Sequence, residues 1–154
     1  MDAHQLTPRY EVSVKAYVVA YISTLSTLGG LDAIWLSGMA DRLYRPVMGD
    51  MLISDARPVP AIAFYLVYAA GLVFLAVRPG LLSGAWRMAV LFGAVLGFTA
   101  YATYDLTNQA TLKNWSTILT IADLCWGTFL SAVAAGVGSW ISAHIVGGKG
   151  LRAP

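Results

Sequence analysis

Charge is what this chain has least of. Only 12% of its residues are charged while 58% are hydrophobic, and a soluble domain carries about 25% charged residues. Ten Lys+Arg against eight Asp+Glu leave it nearly neutral, with no basic run of the kind that tracks a phosphate backbone, so nucleic acid is not expected as a partner. A single cysteine, Cys125, excludes an intrachain disulfide framework and a cysteine-built metal cage. Lying within an apolar run, it reads as a small buried hydrophobe. The two histidines, His4 and His144, fall at opposite ends of the chain, and no metal site is expected from them. There is no Ser–His pair, glycine-rich phosphate loop or Cys–His cluster, so the sequence shows no apparatus for classical nucleophilic or zinc chemistry. It points to no cofactor and leaves open whether the protein is an enzyme.

What the chain does have is four long apolar runs, at about 14–36, 60–77, 85–105 and 117–145. At 1.5 Å per residue each can cross roughly 30 Å of hydrocarbon, the second only barely. The fold expected is therefore an all-α integral membrane protein, a single domain built as an antiparallel bundle of four transmembrane helices. Arg57-Pro58-Val59-Pro60 and Arg78-Pro79-Gly80 bracket the second run, because proline fits a first helical turn but not a helix interior. The linker 37–59 mixes Asp41, Arg42, Arg45 and Asp50 with Leu43, Tyr44, Val47 and Met48. It reads as a short helix lying in the membrane interface, with an ordinary packed loop as the competing reading. Ser116 suits the N-cap of the fourth span.

Lys/Arg placement sets the expected orientation. Arg9, Lys15, Arg78, Arg87, Lys149 and Arg152 fall on one side, and Arg42, Arg45, Arg57 and Lys113 on the other. That asymmetry favours both termini in the cytoplasm. Trp86 and Trp140 would anchor one interface and Trp35 and Trp115 the other, leaving Trp126 too deep for either belt.

Three aspartates interrupt this apolar background. Asp32, Asp105 and Asp123 lie in or at the ends of the spans, where a carboxylate costs about 2.5–3.5 kcal/mol on insertion scales. Antiparallel topology places all three in one half of the membrane, the non-cytoplasmic half. Asp32 and Asp105 sit toward helix C-terminal ends, where the macrodipole disfavours negative charge, and Asp123 sits toward an N-terminal end. Arg42, Arg45 and Lys113 are the candidate charge partners, the alternative being carboxyls that hold protons.

Spacing indicates how the helices meet. Gly93, Gly97, Tyr101 and Asp105 recur at steps of four, as do Asp123, Gly127, Ser131 and Ala135. Small residues on such a face let helices approach closely in lipid, so spans three and four are expected to pack together with Tyr101 near the level of Asp123. Trp126 follows Asp123 by three residues and shares nearly the same face, an arrangement suited to an organic cation or to plain packing. Asp-x-x-Trp occurs twice, at Asp32/Trp35 and Asp123/Trp126, on oppositely directed helices.

The stretch from Tyr101 through Tyr104-Asp105-Leu-Thr107-Asn108 to Lys113-Asn-Trp115, followed by Asp123-Leu-Cys-Trp126-Gly127, resembles a bacterial family of four-helix membrane proteins catalogued as domain of unknown function 2177. Asp32-Ala-Ile-Trp35-Leu36, Pro60-Ala-Ile-Ala-Phe64-Tyr65 and Tyr68-Ala-Ala-Gly71-Leu72 are similar to it as well. The resemblance implies the topology and the membrane location, and no assigned activity. The functional residues expected are Asp32, Asp105, Asp123, Tyr101, Tyr104, Asn108 and Trp126. Three roles compete: an accessory or structural subunit of a larger membrane complex, a homo-oligomeric proton- or cation-coupled transporter, and a protein that binds or modifies membrane lipid.

Overall fold

The computed structural model describes residues 11–53, 56–146 and 151–152; His4, Arg9 and Lys149 lie outside them. Four helical stretches are long and apolar enough to cross a membrane: Val14–Met51, Pro58–Ser83, Trp86–Thr111 and Thr117–Val146. The first begins as helix α1 (Val14–Met39), capped by Ser13, whose hydroxyl accepts from the Ala16 N–H at 3.2 Å. It continues through a widened π-turn at Ala40–Tyr44 into the short α2 (Arg45–Met48) and a 3₁₀ turn. The linker thus carries the helix onward for two more turns before it breaks at Gly49, whose φ is 50°.

The second span differs from the expectation at its far end. Helix α3 (Pro58–Leu72) is followed by a π-turn at Val73–Val77 and then α4 (Arg78–Ser83), so the chain stays helical through Pro79. A proline lacks the N–H and crowds the carbonyl four residues back. The π-turn widens the backbone in that region, which lets the helix pass the proline instead of stopping at it. The stop falls at Gly84, in the left-handed conformation with φ 66°.

Helix α5 (Trp86–Thr111) also outruns its expected end, six positions beyond Asp105. Asp105 therefore lies inside a helix. Thr103, Thr107 and Thr111 return their hydroxyls to carbonyls four residues back, which absorbs polar groups in a segment that reads as a loop by composition. A turn with Asn114 at φ 66° leads into α6 (Thr117–Val146). The Ser116 hydroxyl accepts from the Ile118 N–H at 3.2 Å to open that helix.

Helix α6 is the centre of the bundle. Its largest interfaces are with α5 and with α1, and the π-turn of the second span packs into the same core. The interior is lined by small residues such as Ala20, Ala69, Ala76, Ala89, Ala134 and Ala135, all buried. Large side chains such as Ile22, Val67, Phe74, Val95 and Ile121 face outward. That distribution suits a lipid solvent, where burying leucine gains little and close backbone contact gains more. Cys125 follows the outward pattern: it is exposed, against the expectation of a buried thiol. Glu11–Val12 pairs antiparallel with Leu151–Arg152, joining the segment before α1 to a segment after α6.

Candidate functional site

Each aspartate lies on the inward stripe of its helix. On α1 the buried residues are Ala16, Ala20, Thr24, Leu28 and Asp32, at steps of four. On α5 they are Ala89, Gly93, Gly97 and Asp105, and on α6 the stripe runs from Leu119 through Asp123 and Gly127 to Ser131. All three carboxyls are withdrawn from the surface, with Asp32 8%, Asp105 0% and Asp123 6% exposed.

Their partners are aromatic rings, and here the expected cations are replaced. The Tyr65 hydroxyl donates to Asp32 Oδ2 at 2.6 Å, and the Trp126 indole N–H donates to Asp32 Oδ1 at 2.9 Å. The Tyr44 hydroxyl donates to Asp123 Oδ1 at 2.6 Å and accepts from the Trp35 indole at 3.0 Å. Arg42, Arg45 and Lys113 are all exposed. The ion pair among the described residues joins Arg45 to Asp41 at 2.8 Å, one helical turn apart at the surface. Neutral O–H and N–H donors reach a carboxyl buried among helices without bringing in a second charge that must itself be desolvated. Long cationic side chains can instead stay in water.

Trp35 and Trp126 tie these bonds together. Their rings stack at 4.4 Å between centroids with planes 8° apart. The connection is crossed: Trp126, three residues after Asp123, serves Asp32, while Trp35, three residues after Asp32, serves Asp123 through Tyr44. The two Asp-x-x-Trp copies on antiparallel helices thus form one reciprocal clasp between α1 and α6. Trp35, expected as an interfacial anchor, is a member of this cluster. Tyr44 and Tyr65 are the cluster members that sequence reasoning missed, and the repeated Asp-x-x-Trp was the signal that pointed toward Trp35.

The small-residue faces of α5 and α6 meet. A side chain at Gly93 would press on the Ser131 carbonyl at 2.6 Å, and one at Gly97 on the Gly127 carbonyl and Ser131. The Tyr101 ring lies directly against Gly127. The hydroxyl that Asp123 accepts is Tyr44's, not Tyr101's. Ser131 shares a 2.8 Å hydrogen bond with Tyr68, adding the second span to this crossing. Tyr104 is more than half exposed and packs edge-on against Trp115 at 5.8 Å, on the outer side of α5 with the partly exposed Asn108 one turn on. These two residues flank the cluster without joining its hydrogen bonds to Asp32 and Asp123.

Asp105 is the exception. Among the described residues neither of its carboxyl oxygens has a hydrogen-bond partner, though the residue is 0% exposed. It stands within coulombic range of Asp123, which is in turn within range of Asp32. The arrangement is a set of acidic groups in the interior of a helical bundle, two held by rings and one without a donor. Among the described residues no group of three or more metal-ligating side chains converges.

No curated protein and no solved structure matches the chain. A family model described as "Predicted membrane protein (DUF2177)" matches residues 17–140, a range that holds all three aspartates and both tryptophans of the clasp. The chain belongs to this family of membrane proteins, whose function is unknown.

Proposed function

We propose that this protein is a structural or accessory subunit of a membrane assembly. The observation that carries the reading is the use to which the aspartates are put. Asp32 and Asp123 are engaged by donors from the first span, the second span and α6, so they hold helices together. A buried polar network whose members are satisfied specifies one helix arrangement. The grooves on the outer side of α5 and α6 are apolar. One of about 590 Å³ is framed by Trp86, Val90, Phe129, Val133 and Trp140 and offers a surface for lipid or for another membrane helix. The reading places the protein in a bacterial inner membrane with both termini in the cytoplasm. It is supported by the basic residues of the second loop and by the pairing of Glu11–Val12 with Leu151–Arg152. Purification of the tagged chain from native membranes in lipid nanodiscs is expected to bring a stoichiometric, different membrane protein with it. Recovery of a homogeneous homo-oligomer alone would overturn the proposal.

One observation favours a second reading, a homo-oligomeric proton-coupled transporter: the unpartnered carboxyl of Asp105. Ionisable groups inside a membrane bundle are by default candidates for proton relays. On this reading purified protein in liposomes supports a proton flux that Asp105→Asn or Asp123→Asn removes while leaving folding intact. Absence of flux in the wild type ends it.

A further inference from the structure

We propose that Asp105 is a proton-binding site, a carboxyl held as the neutral acid inside the bundle beside an ionised Asp123. It holds under both functional readings, since it concerns the site and not the activity the site serves.

An ionised carboxylate needs donors. It is an acceptor only, with about four lone-pair sites to fill. Leaving such a group enclosed and undonated costs far more than the few kcal/mol of a neutral polar group, and the usual outcome is neutralisation. Asp105 meets that condition in full: it is 0% exposed and both oxygens are without a donor. Among the described residues no basic side chain forms an ion pair with it: Arg42, Arg57 and Lys113 are exposed and Arg45 is bound to Asp41.

The groups around it act in the same direction. Asp123 of α6, an acid of the same sign, and Tyr104 of its own helix both lie within coulombic range. Asp32 and Tyr44, from the first span, act on Asp123. Tyr44 donates its hydroxyl proton to Asp123, which marks Asp123 as the acceptor of the two carboxyls. Two like charges within coulombic range of each other favour a state in which one carboxyl keeps its proton. The donor set decides which: Asp123 has a hydroxyl to stabilise its charge and Asp105 has none. Bare helix packing would not require a carboxyl at this position, because an asparagine or leucine fills the same space.

The test reads the proton itself. Protein carrying ¹³C-carboxyl-labelled aspartate is placed in lipid nanodiscs at neutral pH and examined by infrared spectroscopy in H₂O and D₂O. The expected result is a labelled C=O stretch of a protonated carboxylic acid that is present in the wild type and in Asp32→Asn and absent in Asp105→Asn. Asp105→Glu guards against a variant that fails to fold. It keeps the carboxyl but removes the label, so the labelled band disappears while an unlabelled acid band takes its place. A wild-type spectrum with only ionised labelled carboxylates overturns the proposal. So does a protonated labelled band that persists in both Asp105 variants. Neither result bears on whether the chain copurifies with a partner, so the assembly reading is tested separately.

Discussion

Helix α6 meets both main neighbours through small residues, Gly138 lying against Ala20 and Thr24 of α1, but at the level of the aspartates the two interfaces differ. Toward α5 it closes by leaving side chains out: Gly93, Gly97 and Gly127 sit where a Cβ would strike a carbonyl, a serine or the Tyr101 ring. Toward α1 it closes by putting large side chains in, with two stacked indoles and hydrogen bonds that cross from each helix to the other's aspartate. The first interface works through dispersion between backbones brought close together, and the second through directional bonds in a medium with no water to compete. The contrast explains why the acidic groups fare differently. Asp32 and Asp123 lie at the aromatic interface and find donors there. Asp105 lies on the helix that meets α6 through glycine, and no donor reaches it among the described residues.

The sharpest way to break the comparison is to give the glycine interface a side chain. Gly97→Leu or Gly127→Leu is expected to prevent native assembly of α5 on α6, since overpacking against a backbone carbonyl costs about 3 kcal/mol or more. Loss of the monodisperse folded species in size-exclusion chromatography would show it. Next comes removal of a ring donor with its stacking kept. Trp126→Phe takes one of two hydrogen bonds from Asp32 and is expected to destabilise the fold by about 1–3 kcal/mol, the cost of leaving a buried acceptor short. Trp35→Phe acts on Tyr44, which still reaches Asp123, and is expected to cost about 0.5–1.5 kcal/mol. Reversible unfolding in mixed micelles ranks the two. The smallest effect belongs to the surface ion pair: Arg45→Ala is expected to change stability by less than about 1 kcal/mol, because its partner Asp41 is solvent-exposed. A loss at Arg45 larger than that at Trp126 would restore the cations as the cluster's true partners.

The sequence displayed the spans and the glycine interface more readily than the aromatic one. Apolar runs are local, and steps of four place Gly93, Gly97 and Asp105 on one face of a helix wherever that helix goes. The clasp is not local. Tyr44 and Asp123 are 79 positions apart, and Trp126 and Asp32 are 94 apart, so spacing alone gives no reason to pair them. Arg45 looked the better partner on charge alone, yet it lies on the solvent side of α2 while Tyr44, one residue earlier, turns inward. The π-turns at Ala40–Tyr44 and Val73–Val77 had no compositional signal either. They are what carries the first span onward to place Tyr44, and what carries the second past Pro79.

The crossed clasp is tested most directly by a double-mutant cycle between Trp126 and Asp32, using Trp126→Phe and Asp32→Ala and reading unfolding free energies in the same micelles. If the indole donates to this carboxyl across the α1–α6 interface, the two changes couple by about 1 kcal/mol or more, within the range for directly contacting groups. Strictly additive effects would mean that the two residues do not meet in the folded protein, and the account of the aspartates as ring-held groups would be wrong.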